Sequence, residues 1–364
     1  MTTNLKIDID RLLVPITDEN PVGLDLRIDQ KPDSIYQRIK QARMSARAAE
    51  RSNMYDSNNN EAIDHWRNIS VLAPEIISKY SKDLEISSWY IEAVVRLHGF
   101  NGLKNCFKLT RTLIENYWKD LYPLPDEDGM LIRVAPLAGL NGEGAEGVLM
   151  APIRNIKITQ GDSPGPFSFW QYQQALDAHK ISNDDARSDS SERLGYSLTD
   201  IEHAVSITSE DFYIELRDDI TECISEYKNI SNILDELCES HESPPTSNMI
   251  SVLEQCLGAV NHLGKNKFPV IAMKSIEENS NTEGLKHKVY NGTVVSREEA
   301  FQQLHVISEF FKRTEPHSPI SYILAKAVKW GNMPLNELIG ELIPDSTSRD
   351  LYSSLTGVKV TDET

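Results

Sequence analysis

Residue types that could do chemistry are sparse and scattered in this sequence. Nine histidines fall roughly one to a segment, with no HExxH pair and no cysteine–histidine group at metal-ligand spacing. The one compact polar constellation is Glu315, Pro316, His317, Ser318 and Pro319. Glu315 could interact with His317, and Ser318 stands beside them, so a serine nucleophile with a histidine base is the chemistry to weigh. It requires the side chains to converge. A cap serine, a proline-locked turn and a histidine bonded to a backbone carbonyl account for the same letters without catalysis. Gly142, Gly144 and Gly147 lack both the preceding apolar strand and the GK[ST] ending of a phosphate loop. No enzyme, cofactor or metal site is expected.

The polar corner must be held by the helices on either side of it. One arrives with Phe310, Phe311, Lys312 and Arg313, and Pro316 biases Glu315 out of the helical region, so this helix should stop near Thr314. Ser318 can cap the next helix, with Pro319 at its first position, where a missing N–H costs nothing. That helix carries Ile320, Ile323, Leu324, Ala327, Val328 and Trp330 on its apolar side, and Gly331 and Pro334 set up a third from about Leu335 to Leu342. Phe310, Phe311, Ile323 and Trp330 are more apolar surface than a unit of about 65 residues readily hides. Self-assembly through this unit is one expectation. The alternative is that the four side chains fill its own core.

Composition narrows the class. The 364 residues allow two or three domains. With 37 basic and 55 acidic residues, the net charge of -18 argues against broad neutralisation of nucleic-acid phosphates. The charge is concentrated between Ile181 and Pro245, where 17 acids face 4 bases. No apolar run approaches the ~18 residues of a spanning helix, so no membrane insertion is expected. The start MTTNLKIDIDRLL lacks the pattern of a secretory signal. Cys106, Cys223, Cys238 and Cys256 are widely spaced, as buried thiols of a reducing cytosol would be.

Apolar positions recurring every three or four residues dominate the long segments, which predicts an all-α, multi-domain protein of αα-hairpins. Leu5 to Asp29 reads as an irregular arm. A helix follows Pro32 and runs toward Ser52, carrying Arg38, Arg43, Arg47 and Arg51 at roughly one-turn spacing. This series is either a face paired with nearby acids or a docking surface for an acidic partner. Trp66, Trp89 and Trp118 each fall on the apolar side of their own segment and should share one core. A helix closing at His98–Gly99 and another beginning near Leu103 should form an antiparallel hairpin. Ile153 to Ile158 offers at most a short strand or two. Thr199 with Glu202 has capping-box spacing, and Ser209 should cap a long helix to about Glu239 that pairs with Ser247 to Leu263. The chain divides into an N-terminal helical domain (1–162), an acidic middle hairpin region (163–265), a linker (266–295) and a C-terminal helical domain (296–364).

Both ends carry family words. In the first domain these are Pro21–Gly23–Asp25–Leu26–Arg27, Tyr36, Ile39, Ala42 and Arg43, and Trp66. Ser81–Lys82–Asp83–Leu84, the Trp89 helix, Gly99–Gly102–Leu103 and Tyr117–Trp118 leading to Tyr122–Pro123 follow. In the last domain they are Arg297, Ala300, Phe310–Phe311, Arg313, Glu315 to Pro319, Ala327, Trp330–Gly331 and Leu335. Taken together, the sequence resembles the TssA (ImpA-like) family of the bacterial type VI secretion system, and its EPHSP ending is similar to the short, baseplate-associated members. The resemblance implies a cytoplasmic, non-enzymatic protein working at the inner face of the cell envelope. It implies a homo-oligomeric ring formed through the C-terminal domain, and partners among the baseplate, sheath and tube proteins. A monomeric or dimeric adaptor that binds another protein is the alternative.

Overall fold

In a computed structural model of the chain, the described residues are 7–52, 60–127, 129–181, 184–238, 242–268, 297–314, 319–331, 333–343, 345 and 348–349. They hold fourteen helices and, among them, only isolated β-bridges in place of strands. The protein is all-α. It divides into two compact units near residue 273. The regions that the sequence divides near residue 162 both fall in the first unit.

That unit begins with α1 (Ile9–Leu13), α2 (Ile35–Ser52), α3 (Asn60–Lys79) and α4 (Leu84–Tyr117). Helix α2 buries Tyr36, Ile39, Ala42, Ala46 and Ala49, a stripe whose small alanines let neighbouring backbones approach closely. Helix α3 answers with Ala62, Trp66, Ile69, Ala73 and Ile76. Helix α4 is broken at Gly99, whose φ of 57° and ψ of -141° belong to glycine. Ser87 and Thr110 share a hydrogen bond of 2.6 Å across this break. A straight helix would hold residues that far apart in sequence about 35 Å away from each other. The two arms therefore fold back as the expected hairpin, and the second resumes directly at Phe100.

The chain continues through α5 (Leu131–Asn141), α6 (Met150–Arg154), α7 (Phe169–His179), α8 (Asp184–Leu194) and α9 (Leu198–Ile207). Two expectations are corrected here. Ile153 and Arg154, within the segment read as at most a short strand or two, belong to the helix Met150–Arg154, and the rest of that segment pairs only through the bridge Lys157 to Ser168 and the flanking Ile158–Phe167 and Phe169–Ile156 hydrogen bonds. Helix α9 is capped by Ser197 with Asp200, not by Thr199 with Glu202. SLTD carries the same capping-box spacing two residues earlier, and the first serine able to adopt extended backbone takes the cap.

Helices α10 (Glu210–Leu237) and α11 (Ser247–Leu263) form the second long hairpin, antiparallel because Lys228 meets Glu254 and Ser231 meets Thr246. Ser209 caps α10 as expected. The α10 hairpin packs on the second arm of α4: the Phe107 and Tyr227 rings lie 4.9 Å apart and the Cys223 thiol donates to the Phe100 carbonyl. Lys104 and Arg111 reach from α4 to Asp219, Glu222 and Glu226 on α10, so part of the acidic middle is neutralised within the unit. Trp66 and Trp89 are buried in one core, and Trp118 packs against it half-exposed.

The second unit contains α12 (Arg297–Thr314), α13 (Pro319–Gly331) and α14 (Leu335–Leu342). Their ends agree with the stops and starts read from Thr314, Pro319, Gly331 and Pro334.

Candidate functional site

Glu315, Pro316, His317 and Ser318 lie outside the described residues. The helices that flank them are described, and they form an antiparallel pair. Ser308 donates from its hydroxyl to the Ser321 carbonyl at 2.7 Å, and both residues are buried. At the far end the Phe301 ring lies against Gly331 so closely that a Cβ there would collide with it, and Arg297 donates to the Gly331 carbonyl. Among the described residues of this unit, Ile339 is the only apolar side chain that is fully buried. Tyr322 (65% exposed), Ile323 (63%) and Phe310 (50%) face outward with Val306, Ile307 and Ile320. The predicted set thus separates. Phe310 and Ile323 are open, whereas Phe311 is half-buried with its ring 5.6 Å from that of Phe310. Trp330 is half-buried beneath Lys326, whose ammonium lies 4.8 Å from its ring centre. Arg313 and Pro319 are exposed.

The arginine series of α2 also separates. Arg43 and Arg47 turn inward to Glu92, a fully buried carboxylate on the first arm of α4. Their Nε atoms lie 2.9 Å from its two oxygens and their terminal nitrogens 2.8 and 2.7 Å away. Arg38 and Arg51 remain exposed. A second carboxylate on α2, Glu50, accepts from the Trp66 indole at 2.8 Å and from Arg96 at 2.6 Å, while the Arg96 guanidinium stacks 4.2 Å from the Trp66 ring centre. Charged groups here join α2, α3 and α4 from within.

The arm before α2 is tied down by a third cluster. Residues 22–24 run beside 80–82, with Lys82 N–H donating to the Val22 carbonyl and Leu24 N–H to that of Tyr80; Leu84 in turn takes the Tyr122 carbonyl. Gly23 (φ 77°) is required there, because a Cβ would stand 2.1 Å from the Tyr80 oxygen. Asp83, buried, caps α4 through the N–H groups of Glu85 and Ile86 and receives Arg27 on both oxygens at 2.8 and 3.1 Å. Arg27 continues to Glu85 and Asp25, and Tyr36 donates to Glu85. Burial disfavours the Arg27 charge, but the surrounding carboxylates more than offset it and hold its pKa above the ordinary value. Lys82 is buried beside them and donates to the Leu12 and Ile77 carbonyls at 2.6 and 2.8 Å, and desolvation pulls its pKa down to about 8.

Gly23, Arg27, Tyr36, Lys82 and Asp83 are among the residues of the N-terminal family words. The family model for ImpA, N-terminal, type VI secretion system matches residues 13–142. The type VI secretion system component TssA1 of Pseudomonas aeruginosa is 22% identical over 94% of this chain and 97% of its own length. By these matches the chain is similar to the TssA (ImpA-like) family, through the ImpA_N region at residues 13–142 and along most of its length. A solved N-terminal domain that includes the conserved ImpA_N region of the TssA component of Burkholderia cenocepacia has the same fold. It has a TM-score of 0.59 and 22% identity, and the match spans 72% of this chain and 96% of that one.

Among the described residues little is placed to do covalent chemistry. Among the described residues no three histidine, cysteine or carboxylate side chains gather as metal ligands. Cys106 and Cys223 are buried and their thiols are pushed well up by desolvation, the opposite of an activated nucleophile. No described helix is long and apolar enough to cross a membrane. Sequence reasoning missed Glu92, Glu50 and the buried state of Lys82. Glu92 had a visible signal, since it is a lone acid inside the apolar run WYIEAVV.

Proposed function

We propose that this protein is a non-enzymatic assembly component of the type VI secretion system that self-associates through its C-terminal unit into a ring. The ring would join the baseplate and the sheath–tube assembly on the cytoplasmic side of the envelope. One observation carries the reading: the α12–α13 pair exposes Tyr322, Ile323 and Phe310, while the only fully buried apolar side chain among the unit's described residues is Ile339 on α14. A helical pair with so little core of its own is expected to gain it from copies of itself. Head-to-tail contact closes a ring when the rotation per subunit divides a circle, and face-to-face contact stops at a dimer. The family's N-terminal words lie in the first unit, which leaves that unit to face partners.

Sedimentation of the full chain tests this. Assembly larger than a dimer is expected, and Ile323→Asp, at an exposed position, should dissolve it without lowering the melting temperature of the first unit. A monomer at micromolar concentration would overturn the ring and leave the adaptor reading. An oligomer that Ile323→Asp leaves intact would overturn the assignment of the interface.

A further inference from the structure

A cleft of about 660 Å³ opens in the first unit between the C-terminal end of α2, the N-terminal end of α3, the first arm of α4 and the short α6. Its apolar walls include Ile63, Val95, Val148 and Ile156. Arg47, Arg51 and Arg96 also line it, against the single carboxylate Glu50. That local excess of positive charge stands on a chain whose net charge is -18. Glu50 is already occupied by Arg96 and the Trp66 indole, and Arg47 is held from beneath by Glu92. Arg51 is exposed and has no ion pair among the described residues. The volume matches that of sites which bind specific ligands, about 300–1,000 Å³. Apolar walls beneath a cationic rim call for a ligand with both a bulky apolar group and flanking negative charge. A free phosphate lacks the first.

We propose that this cleft receives an extended, acidic segment of another protein, which seats one bulky apolar side chain between α3 and α6 while a flanking carboxylate meets Arg51. The segment would bind by charge complementarity at the rim and burial at the floor, the arrangement of a small anchored-peptide site. The inference is independent of ring formation, since every residue it uses lies in the first unit.

The test is fluorescence anisotropy of a labelled Asp-Glu-Phe-Glu-Asp peptide titrated with the full chain. Saturable binding is expected. Arg51→Glu should weaken it about tenfold, equivalent to ~1.4 kcal/mol. Ala151→Trp, placed at an exposed position of the cleft wall, should abolish binding by filling the space without changing charge. Arg38→Glu, about 20 Å along α2 from Arg51, should change binding less than twofold, and replacing the peptide's phenylalanine by serine should weaken it about tenfold. Absence of saturable binding, equal losses in the two arginine variants, or unchanged binding by Ala151→Trp would each overturn the proposal. Self-association of the full chain that Ala151→Trp abolishes would assign the cleft to a second copy and overturn it as well.

Discussion

Glu92→Gln is the most direct perturbation of the first unit. The wild-type carboxylate is fully buried and accepts four close contacts from Arg43 and Arg47, whose side chains keep about a quarter of their surface exposed. Removing one partner of a buried pair typically costs ~3–5 kcal/mol, chiefly because the remaining charge loses its compensation. Here two guanidinium groups lose it, but both can reach water, and glutamine still offers one carbonyl oxygen. The lower end, about 3 kcal/mol, is expected. For a unit of this size that corresponds to a fall of roughly 6–12 °C in melting temperature. Thermal melts of the full chain at pH 7 and urea titrations measure it. Replacing all three side chains together, Glu92→Leu with Arg43→Met and Arg47→Met, should recover most of the loss, since an apolar triad needs no compensation. A Glu92→Gln variant melting within about 2 °C of wild type would refute this accounting. It would return Arg43 and Arg47 to the set of side chains free for a partner.

Other outcomes follow from the same unit. Gly23→Ala should unfold the arm or the whole unit, because its Cβ would meet the Tyr80 carbonyl oxygen at 2.1 Å on a backbone with φ of 77°; an unchanged melt would contradict that placement. Lys82, with a folded pKa of about 8 against 10.5, sheds its proton more readily folded than unfolded. Its contribution to stability is therefore absent below pH 8 and grows as pH rises toward 10.5. Compared with Lys82→Met in urea melts, wild type should gain about 2 kcal/mol between pH 8 and 9.5, and a flat difference would sink the claim. Asp83→Ala removes both an N-cap and the partner of Arg27, and should cost at least about 3 kcal/mol by chemical denaturation; a loss under about 1 kcal/mol, typical of a cap alone, would mean that the Arg27 pairing contributes nothing.

Helix periodicity made most of the architecture legible. The stripes of α2, α3, α10 and α11 are spelled by residues three and four apart, and the glycine at 99 marks the fold-back of α4 because its backbone geometry is one that other residues resist. Where two local patterns compete, the sequence misleads. SLTD and TDIE have the same capping spacing, and only the placement of the Ser197 backbone selects the first. The short strand offered by Ile153 to Ile158 failed for another reason. Met150 and Ile153 are buried three residues apart on one side of a short helix, a spacing that the β-branched residues of the segment do not reveal.

The candidate site was legible in type and obscure in detail. Four arginines at one-turn spacing announce a basic edge, but which of them remain available depends on Glu50 and Glu92. Glu92 lies 45 residues from Arg47 in sequence and reaches it only because the hairpin of α4 lies against α2. The same tertiary contact that consumes Arg43 and Arg47 fixes the α2 backbone and leaves Arg51 at the open end of the cleft. Internal ion pairing and external recognition thus compete for one row of side chains. The spacing of the row cannot decide the outcome, since burial of the opposing carboxylate does. The C-terminal unit presents the converse case. Its described helix ends were readable from Pro319, Gly331 and Pro334, while the division of Phe310, Phe311, Ile323 and Trp330 into open and half-covered groups follows from how α12 and α13 cross at Ser308 and Ser321. A partner copy that covers Phe310 and Ile323 should leave the Lys326–Trp330 stack undisturbed, because that stack is already closed within the subunit.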